Sequence, residues 1–235
     1  MIEFKNLSKR FGNLTVLKEL DLSISTDGIV AILGPNGSGK TTLIKCLLGM
    51  VQPDSGSISL NSQSILGKWE YRNELNYLPQ IANFPSNLTV IELIEMVKNL
   101  RPKAANEKQL IELFGLQESL HKKLGNLSGG TKQKVNLVIT FMFDSNLIIL
   151  DEPTTGLDPI ALIHLKNLIK QEKAKGKAIL LTSHSISFVN QMADEIVFLL
   201  DGKIYFKGTI EELKRQTNNT DLESGIAELL ATHYV

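Results

Sequence analysis

What the chain has little of narrows its identity first. A single cysteine, Cys46, cannot close a disulfide within the chain, which excludes a disulfide-stapled scaffold. Apolar runs are short: stretches such as Leu147 to Leu150 and Ile196 to Leu200 are strand-sized, far from the roughly 20 residues that span a bilayer. The opening MIEFKNLSKRF lacks the apolar core and cleavage site of a signal peptide, so a reducing cytosol is the expected compartment. Neither sign of charge is in excess, since 25 Lys plus Arg balance 25 Asp plus Glu. The basic surplus that marks most nucleic-acid binders is therefore missing, and no nucleic-acid partner is expected. Cys46, His121 and His164 show no metal-ligand spacing, and the five methionines are scattered.

What is present suits one α/β unit of 235 residues, long enough for a sizeable core and free of internal repeats. Residues 1 to about 25 alternate apolar and polar around KRFGN, the pattern of an antiparallel β-meander with one solvated face. Ile29 to Leu33 reads as a buried strand ending in glycines, and Leu43, Ile44, Leu47 and Leu48 recur at helical spacing after it. About residues 81–145 change to a helical pattern, with helices expected over Val90 to Asn99, Asn106 to Phe114 and Gly129 to Phe143. This stretch reads as an inserted helical subdomain. Strands return at Leu147 to Leu150, Ile179 to Thr182 and Ile196 to Leu200, with a helix from Pro159 to Lys175, and Asp201-Gly202 turns the last strand into a hairpin. Residues 1–208 are then one domain, and 209–235 form a short helical tail that reads as an appendage.

Two strings carry chemistry by themselves. GPNGSGKTT, Gly34 to Thr42, leaves a strand and opens a helix, the context that makes a Gly-rich string a phosphate loop. Backbone N–H groups of Asn36, Gly37, Ser38 and Gly39 can converge on phosphates there, helped by the helix dipole. Lys40 supplies positive charge, the Thr41 hydroxyl a Mg²⁺ ligand, and Thr42 continues the loop into the helix. LIILDEPTTGLD places Asp151 and Glu152 at the end of a buried strand, the sheet edge where α/β folds bind ligands. Asp151 suits the Mg²⁺ shell and Glu152 suits a base for an attacking water.

With LSGGTKQKV at 127–135, these strings resemble the ATP-binding-cassette (ABC) ATPases over nearly the whole chain. The resemblance implies a P-loop NTPase fold of ABC type: a RecA-like core, an antiparallel β-subdomain and an inserted helical subdomain. It implies an ATPase using ATP and Mg²⁺ that works as a dimer, most simply of two copies, in which the LSGG segment of one subunit closes over ATP held by the other. Ser128, Gly129 and Gly130 match that segment, with Ser128 also suited to cap a helix. By the same resemblance Phe11 stacks on adenine with Val16 nearby, and Gln80 links Mg²⁺ and water to the helical subdomain. Asp158 matches a cross-dimer aspartate, and His184 a histidine at the γ-phosphate. Thr131 departs from the glutamine usual at the fifth signature position, which leaves ATP binding intact and bears on coupling.

Most such ATPases energise a separate membrane permease from the cytoplasmic side, and a peripheral location there is implied. IANFPSNLTVIEL resembles the groove that receives a permease's coupling helix; packing of the subdomain is the alternative reading of Ile81, Phe84, Pro85 and Leu88. A narrower resemblance, carried by YLPQIANFPSNLT, LSGGTKQKV, VFLLDGKIYFKG and DLESGIAELL, is to the copper-linked cassettes of nitrous-oxide reductase maturation. A soluble ABC ATPase of iron–sulfur cluster assembly is the alternative from another class.

Overall fold

The computed structural model describes residues 1–101 and 103–233. Strands β1 (Ile2–Phe11) and β2 (Leu14–Ile24) pair antiparallel about Gly12-Asn13. Then come β3 (Ile29–Leu33), α1 (Lys40–Leu47), β4 (Ser55–Leu60), β5 (Gln63–Ser64) and β6 (Leu75–Leu78). The helical stretch holds α2 (Val90–Leu100), α3 (Glu107–Leu113) and α4 (Gly129–Phe141). After it follow β7 (Leu147–Asp151), α5 (Pro159–Ala174), β8 (Ala178–Thr182), α6 (Ile186–Met192) and the hairpin β9 (Glu195–Leu200) and β10 (Lys203–Gly208). Helices α7 (Ile210–Thr217) and α8 (Leu222–His233) close the described chain. This is the mixed α/β architecture that the phosphate-loop and strand pattern imply.

Two sheets result. One has the order β2-β1-β4-β5 and the other β10-β9-β3-β8-β7-β6, parallel except at β10. The first 25 residues thus form a hairpin and no meander: β1 is flanked by β2 and by β4, which arrives from SGSISL, a segment with one buried apolar residue, Ile58. Such a strand has almost no alternation of its own to read. All five residues of β3 are buried because the larger sheet is covered on both faces. Ile29, Ala31 and Leu33 face the core shared with the helical stretch, α5 and α6, while Val30 and Ile32 face the core built with α1 and the smaller sheet.

Helix ends agree with sequence chemistry. Thr89 and Glu92 form a capping box on α2, Thr209 and Glu212 another on α7, and Asp158 caps α5 ahead of Pro159. The tail is seated, since Leu213, Leu222 and Leu229 are buried in the same core as Phe188, Met192 and Phe206. At the far edge of the larger sheet, Arg101 donates to the carbonyls of Arg72, Asn73 and Leu75 and to Asn76 Oδ1, covering the start of β6. Burial presses its pKa down.

Lys177, buried just before β8, binds both Glu172 of α5 and Asp144 at the end of the helical stretch. These two carboxylates hold its pKa up against the downward pull of burial, the largest influence on it. Removing one partner of a buried ion pair costs roughly 3–5 kcal/mol because the other charge is stranded. Lys177→Met should lower the urea unfolding free energy by about that amount, and an unchanged midpoint would refute the role.

Candidate active site

Register decides what meets at the carboxyl edge of the larger sheet. Ile32 pairs with Thr182 and Thr182 with Asp151, so the loop leaving β3 and the acidic pair ending β7 stand one strand apart. Gly34 makes the loop's tight exit possible, because a Cβ there would lie 2.0 Å from Leu199 O. A cleft of about 380 Å³ opens at this edge. It is lined by Phe11 and Val16, by Asn36, Gly37, Gly39, Lys40, Thr41 and Thr42 of the loop and helix start, and by Gln80, Asp151, Glu152 and His184. Ser38 is buried beneath, and its hydroxyl has no hydrogen-bond partner among the described residues. A larger cavity of about 570 Å³ lies where β7 begins, near Asn146, Leu147 and Gly176, away from all these groups.

The acidic pair is held by one hydroxyl. Thr182 Oγ1 donates to Asp151 Oδ1 at 2.6 Å and accepts the Glu152 N–H at 3.0 Å. This leaves Asp151 Oδ2 to face Thr41 Oγ1 at 3.4 Å. Glu152 sits at φ 50°, a left-handed conformation unusual for a residue with a side chain. Its Oε2 accepts the His184 N–H at 3.1 Å, while Oε1 has no hydrogen bond and lies 3.2 Å from His184 Nε2. Lys40 Nζ donates to the carbonyls of Gly34 at 2.7 Å and Pro35 at 2.9 Å. Burial lowers its pKa, and the charges of Glu152 and Asp151 act to raise it.

Two carboxylates against one lysine leave the cleft short of positive charge for a polyphosphate. Hydroxyl, carboxylate and amide oxygens of Thr41, Asp151 and Gln80 are the hard donors that suit Mg²⁺, which keeps few protein ligands and shares phosphate oxygens. Among the described residues no group of three or more His, Cys, Asp or Glu offers a dedicated cage. An ion that arrives with the nucleotide fits this set.

Phe11 is half exposed, and Lys9 Nζ stands 5.3 Å from its ring centroid while paired with Asp54 at 2.9 Å. The Lys9 hydrogen bond, with the Arg10 N–H, holds the Asp54 carboxyl below its usual range. Two residues that no motif marks also belong to the site: Leu14, an apolar residue 67 % exposed beside Phe11, and Thr182. An apolar strand ending in threonine one strand from an acidic pair was the available signal.

Ser128, Gly129, Gly130 and Asp158 lie outside the cleft lining. Ser128 Oγ accepts the Thr131 N–H at 3.2 Å and is 2.8 Å from Thr131 Oγ1, so the unusual threonine touches the serine directly. Asp158 caps α5 through Ala161 N–H and pairs with Lys134 of α4 at 2.6 Å; the Lys134 hydrogen bond and that N–H hold its carboxyl below the usual range. One chain therefore assembles one side of the expected sandwich and carries the other side elsewhere.

The family model described as ABC transporter matches residues 17–155, and a shorter match over 122–190 is to an AAA domain described as a putative AbiEii toxin of a type IV toxin–antitoxin system. The uncharacterised ABC transporter ATP-binding protein YxlF of Bacillus subtilis is 32 % identical over 98 % of this chain and 78 % of its own length. The Nod factor export ATP-binding protein I of Burkholderia lata is 33 % identical over 88 % of this chain and 70 % of its own. The lantibiotic transport ATP-binding protein SrtF of Streptococcus pyogenes is 33 % identical over 87 % of this chain and 89 % of its own. A solved ATP-binding subunit of an ABC transporter superposes with a TM-score of 0.90 at 31 % identity, covering 98 % of this chain and 99 % of that one. A dimeric ATP-binding cassette holding ADP and phosphate shares the fold at a TM-score of 0.79 and 23 % identity, over 89 % of this chain and 98 % of that one.

Thr182 is fully buried, and its hydroxyl serves two partners. Thr182→Val keeps the shape and strands the Glu152 N–H, a loss of about 1–3 kcal/mol. Urea unfolding should show that loss, together with a clear fall in ATP turnover; unaltered values of both would mean that the acidic pair holds its place without the hydroxyl.

Proposed function

The chain belongs to the ABC transporter family as an ATP-binding subunit, and from that membership we propose how its residues divide the work. It is an ATPase that binds ATP with Mg²⁺. The observation carrying the assignment of roles is Glu152 Oε1 at the cleft wall, without a hydrogen bond and 3.2 Å from His184 Nε2, beside the Thr41–Asp151 pair. Phe11 and Val16 receive the base, and Asn36 to Gly39 with Lys40 and Thr42 hold the phosphates. Bound at Thr41, Asp151 and Gln80, Mg²⁺ supplies charge neutralisation of the phosphate oxygens. Glu152 Oε1 takes a proton from water as the water oxygen bonds to the γ-phosphorus; the bond to the ADP oxygen breaks, giving ADP and phosphate. His184, within reach of Glu152, holds the γ-phosphate side.

The second half of each site comes from Ser128 to Gly130 and Asp158 of another copy, in a homodimer. Two observations support this: the separation of those residues from the cleft in one chain, and a dimeric cassette of the same fold. Ser128 at the start of α4 offers its backbone N–H groups and the helix dipole to phosphate.

Among the described residues no helix is long and apolar enough to cross a membrane. The relatives named for export and transport support a peripheral subunit that drives a separate permease. Of the expected groove, Phe84 and Leu88 are partly buried against the core, while Ile81, 70 % exposed, and Pro85 face outward. An exposed apolar side chain there suits an amphipathic helix of a permease. The copper-linked reading rests on sequence strings alone; relatives described above are named for Nod factor export and lantibiotic transport, and on the present reading cargo belongs to the permease. None of them favours the iron–sulfur alternative.

Glu152→Gln should retain ATP binding, lower turnover by ~10²–10⁴, and accumulate a dimer in ATP on gel filtration. Turnover within about twofold of the parent would overturn the base assignment. Ile81→Asp should retain basal turnover and lose co-purification with the permease, since an unpaired charge is costly to bury. Intact complex formation would remove Ile81 from the interface.

A further inference from the structure

Helix α4 starts at the signature segment and then runs inward past the loops that carry the two chemical side chains of its own chain. Two of its buried amides reach backbone carbonyls there. Gln133 Nε2 donates to Pro153 O at 3.3 Å, and Asn136 Nδ2 donates to Pro79 O at 3.2 Å. Both side chains are more than nine-tenths buried. Pro153 directly follows Glu152, and Pro79 directly precedes Gln80. The amides are three residues apart, so they project from one face of α4.

Further contacts bind the same helix to the loop after Glu152. Lys134 pairs with Asp158 at 2.6 Å, and a Cβ on Gly130 would meet Gly156 O at 2.7 Å, so the backbones pack without room for a side chain. Thr140, one turn beyond Asn136, bonds Asn136 O at 2.8 Å and Tyr77 O at 3.4 Å. A proline has no N–H and a fixed φ, so each of these two loop backbones has few ways to yield locally. Pro79 O belongs to the peptide joining Pro79 to Gln80 and Pro153 O to the peptide one residue past Glu152, so these two hydrogen bonds carry a displacement of α4 to the backbone beside both groups.

We propose that Gln133 and Asn136 are positioning residues, setting Glu152 and Gln80 from the helix whose N-terminus presents Ser128 to Gly130. The signature segment that serves a second subunit's ATP is then mechanically tied to the hydrolytic groups at this subunit's own ATP. The inference rests on the roles proposed above for Glu152 and Gln80. It adds a route by which occupancy of one site sets the rate at the other, carried by a rigid element with contacts at both ends.

The variants are Asn136→Leu and Gln133→Met, which keep volume and remove the donors, with Thr140→Val as a control for lost buried polar contact on the same helix. Each donor variant should lower kcat for ATP about tenfold, the scale of a sub-ångström misplacement, with KM within about twofold and a reduced Hill coefficient. Gln133→Met with Asn136→Leu should fall short of the product of the single effects, because both act through one helix. Thr140→Val should lower the melting temperature and leave kcat and the Hill coefficient unchanged. Donor variants that lose only melting temperature, or that raise KM with kcat intact, would overturn the positioning role. If Glu152→Gln itself turned over normally, the assignment of the base would fall; if it were inactive while both donor variants matched the parent, only the present inference would fall.

Discussion

A single hydroxyl at the end of β8 holds the acidic half of the site together. Thr182 lies level with Asp151 in register, and its oxygen is shared between the Asp151 carboxylate and the Glu152 N–H. With one carboxylate oxygen engaged, the other is left for Thr41 on the far side of β8. The bond to Glu152 N–H comes where the backbone is at φ 50°, and it helps to offset a conformation worth about 1–2 kcal/mol in strain. The strand order β3-β8-β7 thus does more than bring two loops close. It inserts between them the one residue that orients both acids.

The folded frame sets this arrangement by burial on both faces. Because β3, β7 and β8 are entirely buried, a shift of any of them along its axis would break two cores at once. Loops at the strand ends can then carry strained or unsatisfied groups, such as Glu152 and the Ser38 hydroxyl, without the sheet relaxing to accommodate them.

Much of this was legible from one chain. The phosphate loop and the acidic pair are local strings whose chemistry depends on spacing and on the strand before them, and hydrophobic periodicity marks α1 to α5 to within a few residues while leaving α6 unmarked. Phe11, Val16, Gln80 and His184 became readable only through family resemblance, and they do line the cleft. Three kinds of feature escaped. Strands β4 and β5 carry almost no apolar alternation because only one buried residue anchors them. The tail reads as amphipathic, but nothing local says that Leu213, Leu222 and Leu229 seat in the main core. Phe84 and Leu88 look surface-suited in sequence and are half-buried, since whether a loop's apolar side chain faces water depends on what folds over it. Gln133, Asn136 and Thr182 belong to a fourth case: polar residues whose value lies in a partner far along the chain.

The arginine at the far edge of the larger sheet bears on the protein's life in a crowded cell. β6 ends that sheet, and an unpaired strand offers hydrogen-bonding groups to any extended segment of a neighbouring molecule. Arg101 occupies the carbonyls of Arg72, Asn73 and Leu75 at its start, placing a guanidinium where an added strand would begin to register. Stopping the sheet there is a matter of solubility as well as stability. In the proposed homodimer two copies meet face to face around ATP, and such a chain has reason to refuse the other way two copies could join, edge to edge through their backbones.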